Sequence, residues 1–554
     1  MEIRLKTSPR ADWETVNLDA GTTIEDLYMK IKKDLPYTIL AAKVDNKVED
    51  LIYKIEEPVS IELLDMRTQA ANLIYQYSLS MLYLKAASDV LGRVPVDIQN
   101  SLNKGLYTEI KTINPLTAKN VKDIEKRMRA LVKADLPIKK QIVSRDEAIE
   151  ILVDEGSIEK TRILSESLHL KKVKFYSLDG YKDFYYGYMV PSTRYLDKFE
   201  LRKYRRGVLL RFPHPSDPSR IPDYIDEVKL YQAFGEQTKW EKLLGVRYVA
   251  DLNDKIESGQ YKELIQLSEA LHEKRIAEIA DMIKKQHKRI ILIAGPSSSG
   301  KTTFAQRLCI QLKVNGLDPL YMGTDDYFVE REQTPIDENG ELDFENLSAV
   351  DIQLFNDNMN GLLNGETVDL PTFNFLTGHK EYGKRITAVK ASQPIVIEGI
   401  HALNEELTKE ISHDEKFKIY ISPLTQLNID NHNRIPTTDE RMLRRMVRDN
   451  LYRGHNAQST IADWPKVRAG EDKNIFPYNG EADVMFNSVH IYEISVLKKY
   501  AEPLLKKIMP DEPEYAEAVR MLKFLRFFKT IEDDSIIVNN SIIREFIGGS
   551  IFVD

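Results

Sequence analysis

The sequence predicts a multidomain protein that combines α/β and α+β domains. Its 554 residues exceed what a single hydrophobic core supports, so about three domains are expected. Strand-like and helix-like segments alternate through residues 289–490, a pattern typical of a doubly wound parallel sheet. Residues 67–240 instead give helices followed by strand-like, Tyr-rich segments, which favours an α+β domain.

Residues 1–66 are predicted to form a separate β-grasp domain. Two strand-like segments precede a capping box from Thr22 to Glu25, which should open a helix reaching about Leu35. Short strands are expected near residues 39–44 and 59–63. Two strands, a helix and further strands, in that order, indicate the ubiquitin-like arrangement.

The other boundaries follow from changes in pattern. Residues 67–240 are predicted to hold helices near 118–134 and 145–155. Residues 241–288 are predicted to be a helical connector, with Glu269 among the charged residues of its solvated face. Residues 491–554 are expected to be a mostly helical C-terminal extension.

Composition excludes several classes of protein. Hydrophobic residues make up 42% and charged residues 30%, as in ordinary globular proteins. The net charge of -8 argues against a chain-wide basic field for nucleic acid, but it leaves a local basic patch open. The single cysteine, Cys309, can form neither an internal disulfide nor a cysteine zinc site. With no apolar leader or membrane-length apolar run, we expect a cytoplasmic protein that does not span a membrane.

A phosphate-binding loop follows the first apolar strand of the predicted parallel sheet. Residues 295–302 read GPSSSGKT, a complete G-x-x-x-x-G-K-T motif between a strand and a helix. Lys301, which should be solvated without a ligand, would neutralise the β- and γ-phosphates, and the Thr302 hydroxyl would ligate Mg²⁺. The residues predicted to bind ATP in this loop are Gly295, Ser297, Ser298, Ser299, Gly300, Lys301, Thr302 and Thr303.

Two acidic positions come directly after later strands. Asp325 and Asp326 follow residues 319–323, and a carboxylate there could accept the proton of an attacking hydroxyl group. The alternative is that one of them only caps a turn. Glu398 ends the strand at residues 394–398 and could hold the hydration shell of Mg²⁺, unless it is an ordinary strand-end residue.

An arginine-rich helix is the last feature. Four guanidinium groups on one face would repel each other unless anions lie opposite, and the phosphates of ATP are the natural anions. The alternative is pairing with acidic neighbours on the same helix. The arginines are Arg441, Arg444, Arg445, Arg448 and, after the helix, Arg453; the acidic neighbours are Asp439, Glu440 and Asp449.

Together these segments resemble the uridine kinase and phosphoribulokinase family. The segments GPSSSGKTT, TDDYF, DFENLSAVD, LPTFNF, IVIEGIHAL and RRMVRDNLYRG occur in the family's order. The resemblance implies Asp325 as catalytic base, Glu398 as Mg²⁺-linked acid, Arg445 as a ribose-gripping residue, and Arg448 and Arg453 as phosphate-contacting lid arginines. The residues that it places around the acceptor are Phe328, Glu345, Phe373, Phe375, His379 and Arg445.

The acceptor residues depart from the family pattern. The ribose-binding acid, usually Asp, is Glu345, and a base-contacting Tyr is Phe373. His455 replaces an Arg after the lid glycine, and His379 lies one residue later than the family spacing. The resemblance therefore implies intact phosphoryl chemistry with altered recognition of the base.

The N-terminal half is similar to threonyl-tRNA synthetases. The segments GTTIEDLYMKI and AAKVDNKVEDLIYKI resemble their TGS domain, and IEKRMRALVKADLPI and GYMVPSTRYLDKFEL resemble their second additional domain, which edits mischarged tRNA. The positions that match the editing His and Cys residues are Tyr77, Met81, Tyr185 and Met189. These four lack ligand or acid–base chemistry, so we interpret them as packing residues.

The leading hypothesis from the sequence is a nucleoside kinase that uses ATP and Mg²⁺. One alternative is an RNA- or ribosome-associated regulator with a nucleotide-sensing kinase domain, since TGS-like domains of other proteins contact RNA. A kinase acting on a non-nucleoside alcohol is the other, whereas the lost His and Cys positions argue against an editing hydrolase. The sequence leaves assembly into a homo-oligomer open.

Overall fold

The structure is a computed structural model that describes residues 1–336, 340, 342–425 and 427–553. Along the chain, a small β-sheet domain is followed by an α+β region, a helical stretch, a parallel sheet and a helical C-terminal extension. In the part of the chain described, no helix is both long and apolar enough to cross a membrane.

The first sheet confirms the predicted β-grasp domain. Its strands lie in the order β2-β1-β7-β4-β5, with β1 and β7 parallel and the other pairs antiparallel. Helix α1 packs on this sheet through Ile24, Leu27 and Tyr28. The elements are β1 Glu2–Lys6, β2 Glu14–Asn17, β3 Thr22–Thr23, α1 Ile24–Ile31, β4 Ile39–Val44, β5 Lys47–Glu49, β6 Lys54–Ile55 and β7 Ser60–Asp65.

The predicted capping box is displaced by one residue. Thr23, not Thr22, is the N-cap: its Oγ1 accepts from the Asp26 backbone N–H at 3.0 Å, and the Asp26 carboxylate accepts from the Thr23 N–H at 3.2 Å. The predicted Thr22–Glu25 box does not form because the Glu25 backbone N–H donates to the Leu51 carbonyl oxygen at 2.8 Å. The helix also ends earlier than predicted, at Ile31, and continues only as one 3₁₀ turn.

The second region is α+β, as predicted. Helix α2 buries residues on every face, which is typical of a helix surrounded by protein. Two sheets flank it, in the orders β10-β11-β12 and β13-β14-β9-β8. The elements are α2 Gln69–Leu91, β8 Val96–Leu102, β9 Gly105–Ile110, α3 Ala118–Lys133, β10 Lys139–Ser144, α4 Arg145–Asp154, α5 Ile158–Glu166, β11 Lys172–Leu178, β12 Tyr181–Phe184, β13 Glu200–Tyr204 and β14 Gly207–Arg211.

Three helices connect this region to the parallel sheet. Helix α6, Val228–Leu244, runs across the boundary predicted at residue 240, and α7, Val249–Glu257, and α8, Tyr261–Lys285, follow. The prediction that Glu269 of α8 is solvated is wrong, because its carboxylate is buried and accepts a 2.8 Å hydrogen bond from the Tyr492 hydroxyl. These helices therefore pack as part of the C-terminal core.

The parallel sheet confirms the predicted doubly wound domain. Its order is β16-β21-β15-β22-β23, all neighbouring pairs are parallel, and every residue of the central strand β15 is buried. The carboxyl ends of these strands meet along one edge. The elements are β15 Ile290–Ala294, α9 Lys301–Val314, β16 Leu320–Gly323, α10 Ile352–Leu363, β17 Val368–Asp369, β18 Thr372–Asn374, β19 His379–Glu381, β20 Ile386–Thr387, β21 Ile395–Glu398, β22 Lys416–Ser422, α11 Thr437–Tyr452, α12 Ala457–Asn474 and β23 Val484–Asn487.

The C-terminal extension packs against this domain. Its helices are α13 Glu493–Leu505, α14 Tyr515–Leu525 and α15 Arg544–Ile547. Ile542 and Phe546 share a buried cluster with Phe304 and Leu308 of α9 and with strand β15. The end of the chain is thus brought close to the loop between β15 and α9.

Candidate active site

The loop between β15 and α9 has the conformation that its motif predicts. A Cβ atom on Gly295 would lie 2.1 Å from the Ile421 carbonyl oxygen, so only glycine fits beside β22. Ser298 adopts a φ of 58° and Gly300 a φ of 83°. Such left-handed residues curl the backbone so that successive N–H groups can face one anion.

Lys301, Thr302 and Glu398 meet where β15 and β21 end. The Thr302 hydroxyl donates to Glu398 Oε1 at 2.9 Å, and the Tyr321 hydroxyl donates to the same oxygen at 3.1 Å. Glu398 Oε2 is buried and makes no hydrogen bond within the described chain. Burial raises the pKa of Glu398, while Lys301 and the Thr302 hydroxyl oppose this. An unpaired buried carboxylate oxygen beside a threonine hydroxyl suits a hydrated cation.

The expectation that Lys301 is solvated is wrong. The side chain is half-buried, and its ammonium group donates to the carbonyl oxygens of Gly295 at 3.0 Å and Pro296 at 3.4 Å. Burial lowers the pKa of Lys301, and the charges of Glu398 and Asp325 oppose this. The ammonium group therefore already points into the loop that would hold phosphate.

Asp325 and Asp326 have different surroundings. Asp326 forms an ion pair with Arg385 at 2.6 Å, and Arg385 also donates to the Tyr321 carbonyl oxygen. The side chain of Asp325 reaches solvent, but the surrounding protein atoms desolvate its carboxyl group and raise its pKa, and the charge of Lys301 opposes this. Asp325 is thus within electrostatic range of Lys301 in the phosphate loop, whereas Asp326 is paired with Arg385.

Two of the predicted α11 arginines hold the loop from outside. Arg441 forms a buried ion pair with Glu471, and Arg444 forms one with Glu493. Arg441 also donates to the carbonyl oxygen of Ser297 at 3.2 Å, and Arg444 to that of Ser298 at 3.3 Å. Arg441 and Arg444 are therefore neither free to bind phosphate nor paired with the acidic residues of α11. Their carboxylate partners lie on α12 and α13.

The other three arginines converge on one carboxylate. Asp449 accepts from Arg448 Nε at 2.8 Å, and it lies 3.3 Å from Arg445 Nε and 3.6 Å from Arg453 Nε. Arg445 also donates to the Ser297 hydroxyl at 3.0 Å. One carboxylate facing three guanidinium groups leaves an excess of positive charge beside the loop, which favours a bound anion.

The predicted acceptor residues Phe328, Phe373 and Phe375 form one aromatic cluster. The ring centroids of Phe328 and Phe373 are 5.7 Å apart, and those of Phe373 and Phe375 are 5.1 Å apart. Phe344, for which no role was predicted, joins this cluster: its ring centroid is 5.4 Å from that of Phe328. His379 lies at the rim: it is exposed, and its Nδ1 is 2.7 Å from a Glu330 carboxylate oxygen.

Glu345 lies between the aromatic cluster and the arginines. It follows Phe344 and packs against Gly470 of α12. Burial raises the pKa of Glu345 to about 7; the charge of Glu471 adds to this and that of Arg445 opposes it. The structure thus brings Glu345 into electrostatic range of Arg445, whose guanidinium hydrogen bond goes to Ser297.

Sequence reasoning missed two carboxylates that touch the phosphate loop. Glu471 accepts from the Ser297 backbone N–H at 3.2 Å, and Glu545 accepts from the Thr303 hydroxyl at 2.7 Å. Both come from segments far along the chain, and neither has a local motif. Only the tertiary structure shows them.

Comparison with known families agrees with this geometry. Residues 290–495 match the model of the Phosphoribulokinase / Uridine kinase family. The C-terminal part of the chain carries a domain of this family. The matched segment contains the phosphate loop, Asp325, Glu398 and all of α11. This part of the protein is therefore a P-loop kinase domain built for phosphoryl transfer.

Two kinases are among the solved structures that align with part of this chain. A protein described as a possible uridine kinase from Bacillus stearothermophilus is 20% identical, with a TM-score of 0.26, and the alignment covers 37% of this chain and 96% of that one. D-glycerate 3-kinase from Cryptococcus neoformans is 13% identical, with a TM-score of 0.21, and the alignment covers 45% and 87%.

The N-terminal half matches threonine–tRNA ligases. The enzyme of Marinobacter nauticus is 32% identical over 181 residues, which is 33% of this chain and 28% of that protein. That of Alkalilimnicola ehrlichii is 27% identical over 185 residues, or 33% and 29%. The chain spans less than a third of the length of these relatives.

The positions that resemble the editing site form a packed interior. Tyr77, Met81, Tyr185 and Met189 are all buried, and the rings of Tyr77 and Tyr185 are 6.0 Å apart. The segment 428–433 of the kinase domain lies against the same region, where the Asn431 carbonyl oxygen accepts from the Ile98 N–H at 2.9 Å. Aromatic and thioether side chains in such a core supply neither a metal ligand nor a general base.

We therefore expect the full-length protein not to hydrolyse aminoacyl-tRNA. The four matched positions carry no imidazole or thiol group to hold or activate a water molecule for attack on an ester. The measurement is the deacylation of mischarged tRNA by the purified protein against buffer alone, with an editing-competent threonine–tRNA ligase as positive control. Hydrolysis above the buffer rate that persists in Lys301→Ala would contradict the packing interpretation.

Proposed function

We propose that this protein catalyses ATP-dependent phosphoryl transfer to the 5′-hydroxyl group of a ribonucleoside. The observation that carries the proposal is the convergence of Lys301, the Thr302–Glu398 pair and Asp325 at the carboxyl edge of the parallel sheet. A phosphate-binding loop alone would serve any nucleotide hydrolase. A carboxylate that faces the loop from the next strand is what a hydroxyl acceptor requires.

The residues present fit ATP and Mg²⁺. The glycine-lined turn and the N-terminus of α9 suit phosphate oxygens, and the free oxygen of Glu398 beside the Thr302 hydroxyl suits a hydrated Mg²⁺ ion. When bound, ATP would supply the γ-phosphoryl group and Mg²⁺ would draw negative charge from its oxygens.

The side chains of this chain would then divide the work. Asp325 accepts the proton of the acceptor hydroxyl, and its raised pKa makes it a stronger base than an ordinary aspartate. Lys301, Arg448 and Arg453 stabilise negative charge on the transferring group. Arg441 and Arg444 hold the carbonyl groups of Ser297 and Ser298, which maintains the curl of the loop backbone.

The acceptor side favours a ribonucleoside. The exposed ring of Phe375, which packs against the buried Phe328 and Phe373, offers a surface on which a base can stack. Glu345 can accept hydrogen bonds from two neighbouring hydroxyl groups. Phe373 cannot donate a hydrogen bond to the base, so we infer loose discrimination among bases. His379, paired with Glu330 at the rim, is a polar group that a base could reach.

We expect ribonucleosides to be better acceptors than 2′-deoxynucleosides. The loss of one hydroxyl group leaves a buried partner unpaired at a cost of roughly 1–3 kcal/mol, or about 5- to 150-fold in catalytic efficiency. The measurement is kcat/KM for uridine, cytidine and inosine against their 2′-deoxy forms. Equal values would remove Glu345 and Arg445 from the acceptor site.

The pKa of about 7 at Glu345 adds a pH signature to this preference. The carboxylate is the form that accepts hydroxyl donors, so the KM for a ribonucleoside should fall as the pH rises, by about tenfold between about pH 6 and 8. Glu345→Gln should remove both this pH dependence and most of the ribose preference. A Glu345→Gln variant that kept the wild-type profile would show that another group titrates.

The proposal as a whole is tested by ATP consumption in the presence of candidate acceptors. Nucleosides, sugars and other small alcohols would be compared, with the Glu345→Gln variant run in parallel. Turnover that appears only with a non-nucleoside alcohol, and that Glu345→Gln leaves unchanged, would keep the kinase and refute the nucleoside acceptor.

A further inference from the structure

The C-terminal segment 541–547 forms one wall of the phosphate loop. Ile542 is fully buried, and a Cβ atom on Gly300 would lie only 2.5 Å from Ile542 Cγ2. Helix α15 follows at once and lies against α11 and α9. A segment at the far end of the chain is therefore in direct contact with the nucleotide-binding motif.

This segment places a carboxylate on the donors of the loop. Glu545 Oε2 accepts from the Thr303 hydroxyl at 2.7 Å and from the Thr303 backbone N–H at 3.4 Å. The first hydrogen bond within α9 runs from the Phe304 N–H to the Gly300 carbonyl oxygen. The Thr303 N–H therefore has no acceptor within the helix itself. Backbone N–H groups at the N-terminus of the helix are the donors that bind phosphate in a phosphate loop.

Hydrogen bonds of neighbouring residues hold the contact between Glu545 and Thr303 in place. The Ser541 hydroxyl donates to the buried Glu269 carboxylate, which also accepts from Tyr492. Arg544 donates to the carbonyl oxygens of Asp534 at 2.7 Å and Ile537 at 2.8 Å. These bonds from the residues just before it hold Glu545, which is only 8% exposed, against Thr303.

We propose that Glu545 competes with the phosphate donor for Thr303 and so sets the affinity of the loop for that donor. A carboxylate and a phosphate group are both negative and cannot share the same two donors. Binding of the donor therefore displaces the Glu545 side chain from Thr303 and shifts α15. This inference rests on the proposed function, because it requires a nucleotide in the loop.

The first test compares ATP binding by the full-length wild type, Glu545→Gln and Glu532→Gln. Glu532 is an exposed acid of the same extension, so its substitution removes one negative charge away from the loop. Calorimetry should give a Kd for ATP about tenfold lower in Glu545→Gln than in the other two proteins, because the neutral amide competes less strongly than a carboxylate. Equal or weaker ATP binding by Glu545→Gln would overturn the inference, because it would show that the carboxylate does not oppose ATP binding.

The second test uses the wild type alone and does not depend on how a variant folds. Hydrogen exchange of the backbone amides of residues 541–549 is measured with and without saturating ATP. Faster exchange with ATP supports displacement, whereas unchanged or slower exchange refutes it. Failure of all proteins to bind ATP would refute the proposed function and this inference together, while equal binding by wild type and Glu545→Gln would refute only the inference.

Discussion

Substitution of Lys301 by Ala is expected to reduce phosphoryl transfer by about 10²- to 10³-fold, the scale found when one preorganised electrostatic group is removed from an active site. Its ammonium group points into the loop, toward the carbonyl oxygens of Gly295 and Pro296, and bears the positive charge nearest to Glu398 and Asp325. No other group in the described loop can take its place. The measurement is the single-turnover rate with saturating ATP and acceptor.

Lys313→Ala is the matched control, since Lys313 lies on the same helix α9 but is exposed at its far end. Its rate should equal that of the wild type. Thermal unfolding of Lys301→Ala should remain a single transition near the wild-type temperature, because two hydrogen bonds to loop carbonyl groups contribute little net stability. A folded Lys301→Ala protein with near-normal turnover would end the kinase assignment.

Asp325→Asn is expected to lower kcat by about 10²-fold or more, with ATP binding largely retained. An amide cannot accept the proton of the attacking hydroxyl group, but it has nearly the same shape as the carboxylate. The pKa of Asp325 is raised by burial, so the acid limb of the wild-type kcat profile should lie above the usual aspartate range. Activity is lost as the pH falls through this raised pKa, and Asp325→Asn should not show the limb.

Asp326→Asn separates the base from its neighbour. It breaks the ion pair with Arg385, so it should lower the unfolding temperature more than Asp325→Asn does, while keeping most of the rate. The reverse pattern, with Asp326→Asn nearly inactive and Asp325→Asn active, would move the base by one residue and contradict the assignment made from the strand end.

Local pattern was sufficient wherever neighbours along the chain decide the structure. Strand β15, the phosphate loop and α9 were predicted from the apolar run, the glycine motif and the apolar helical pattern that follow one another in the sequence. The predicted capping box is displaced by one residue because the Glu25 N–H donates to the Leu51 carbonyl oxygen, a contact that no local pattern contains. The order of the parallel strands likewise brought Asp325 and Glu398 to the same edge, as strand-end positions predict.

The features of the site that could not be predicted depend on residues far apart in the sequence. The arginine face of α11 indicated bound anions, but two of the arginines are neutralised by Glu471 and Glu493, which lie 30 and 49 residues further on. Glu545 is separated from Thr303 by 242 residues. A carboxylate without a motif acquires a role only when tertiary packing puts it beside donors, and the position of such packing is not encoded in any short segment.

We propose that the strand-end cluster of Lys301, Thr302, Glu398 and Asp325 transfers the γ-phosphoryl group of ATP to a nucleoside hydroxyl group. The most direct measurement is the transfer of radiolabelled γ-phosphate from ATP to uridine, cytidine or inosine by the full-length protein. The product should be a labelled nucleoside 5′-monophosphate, formed with Mg²⁺ and not by Lys301→Ala or Asp325→Asn. Label that is released only as inorganic phosphate, at the same rate with and without any nucleoside, would contradict the account.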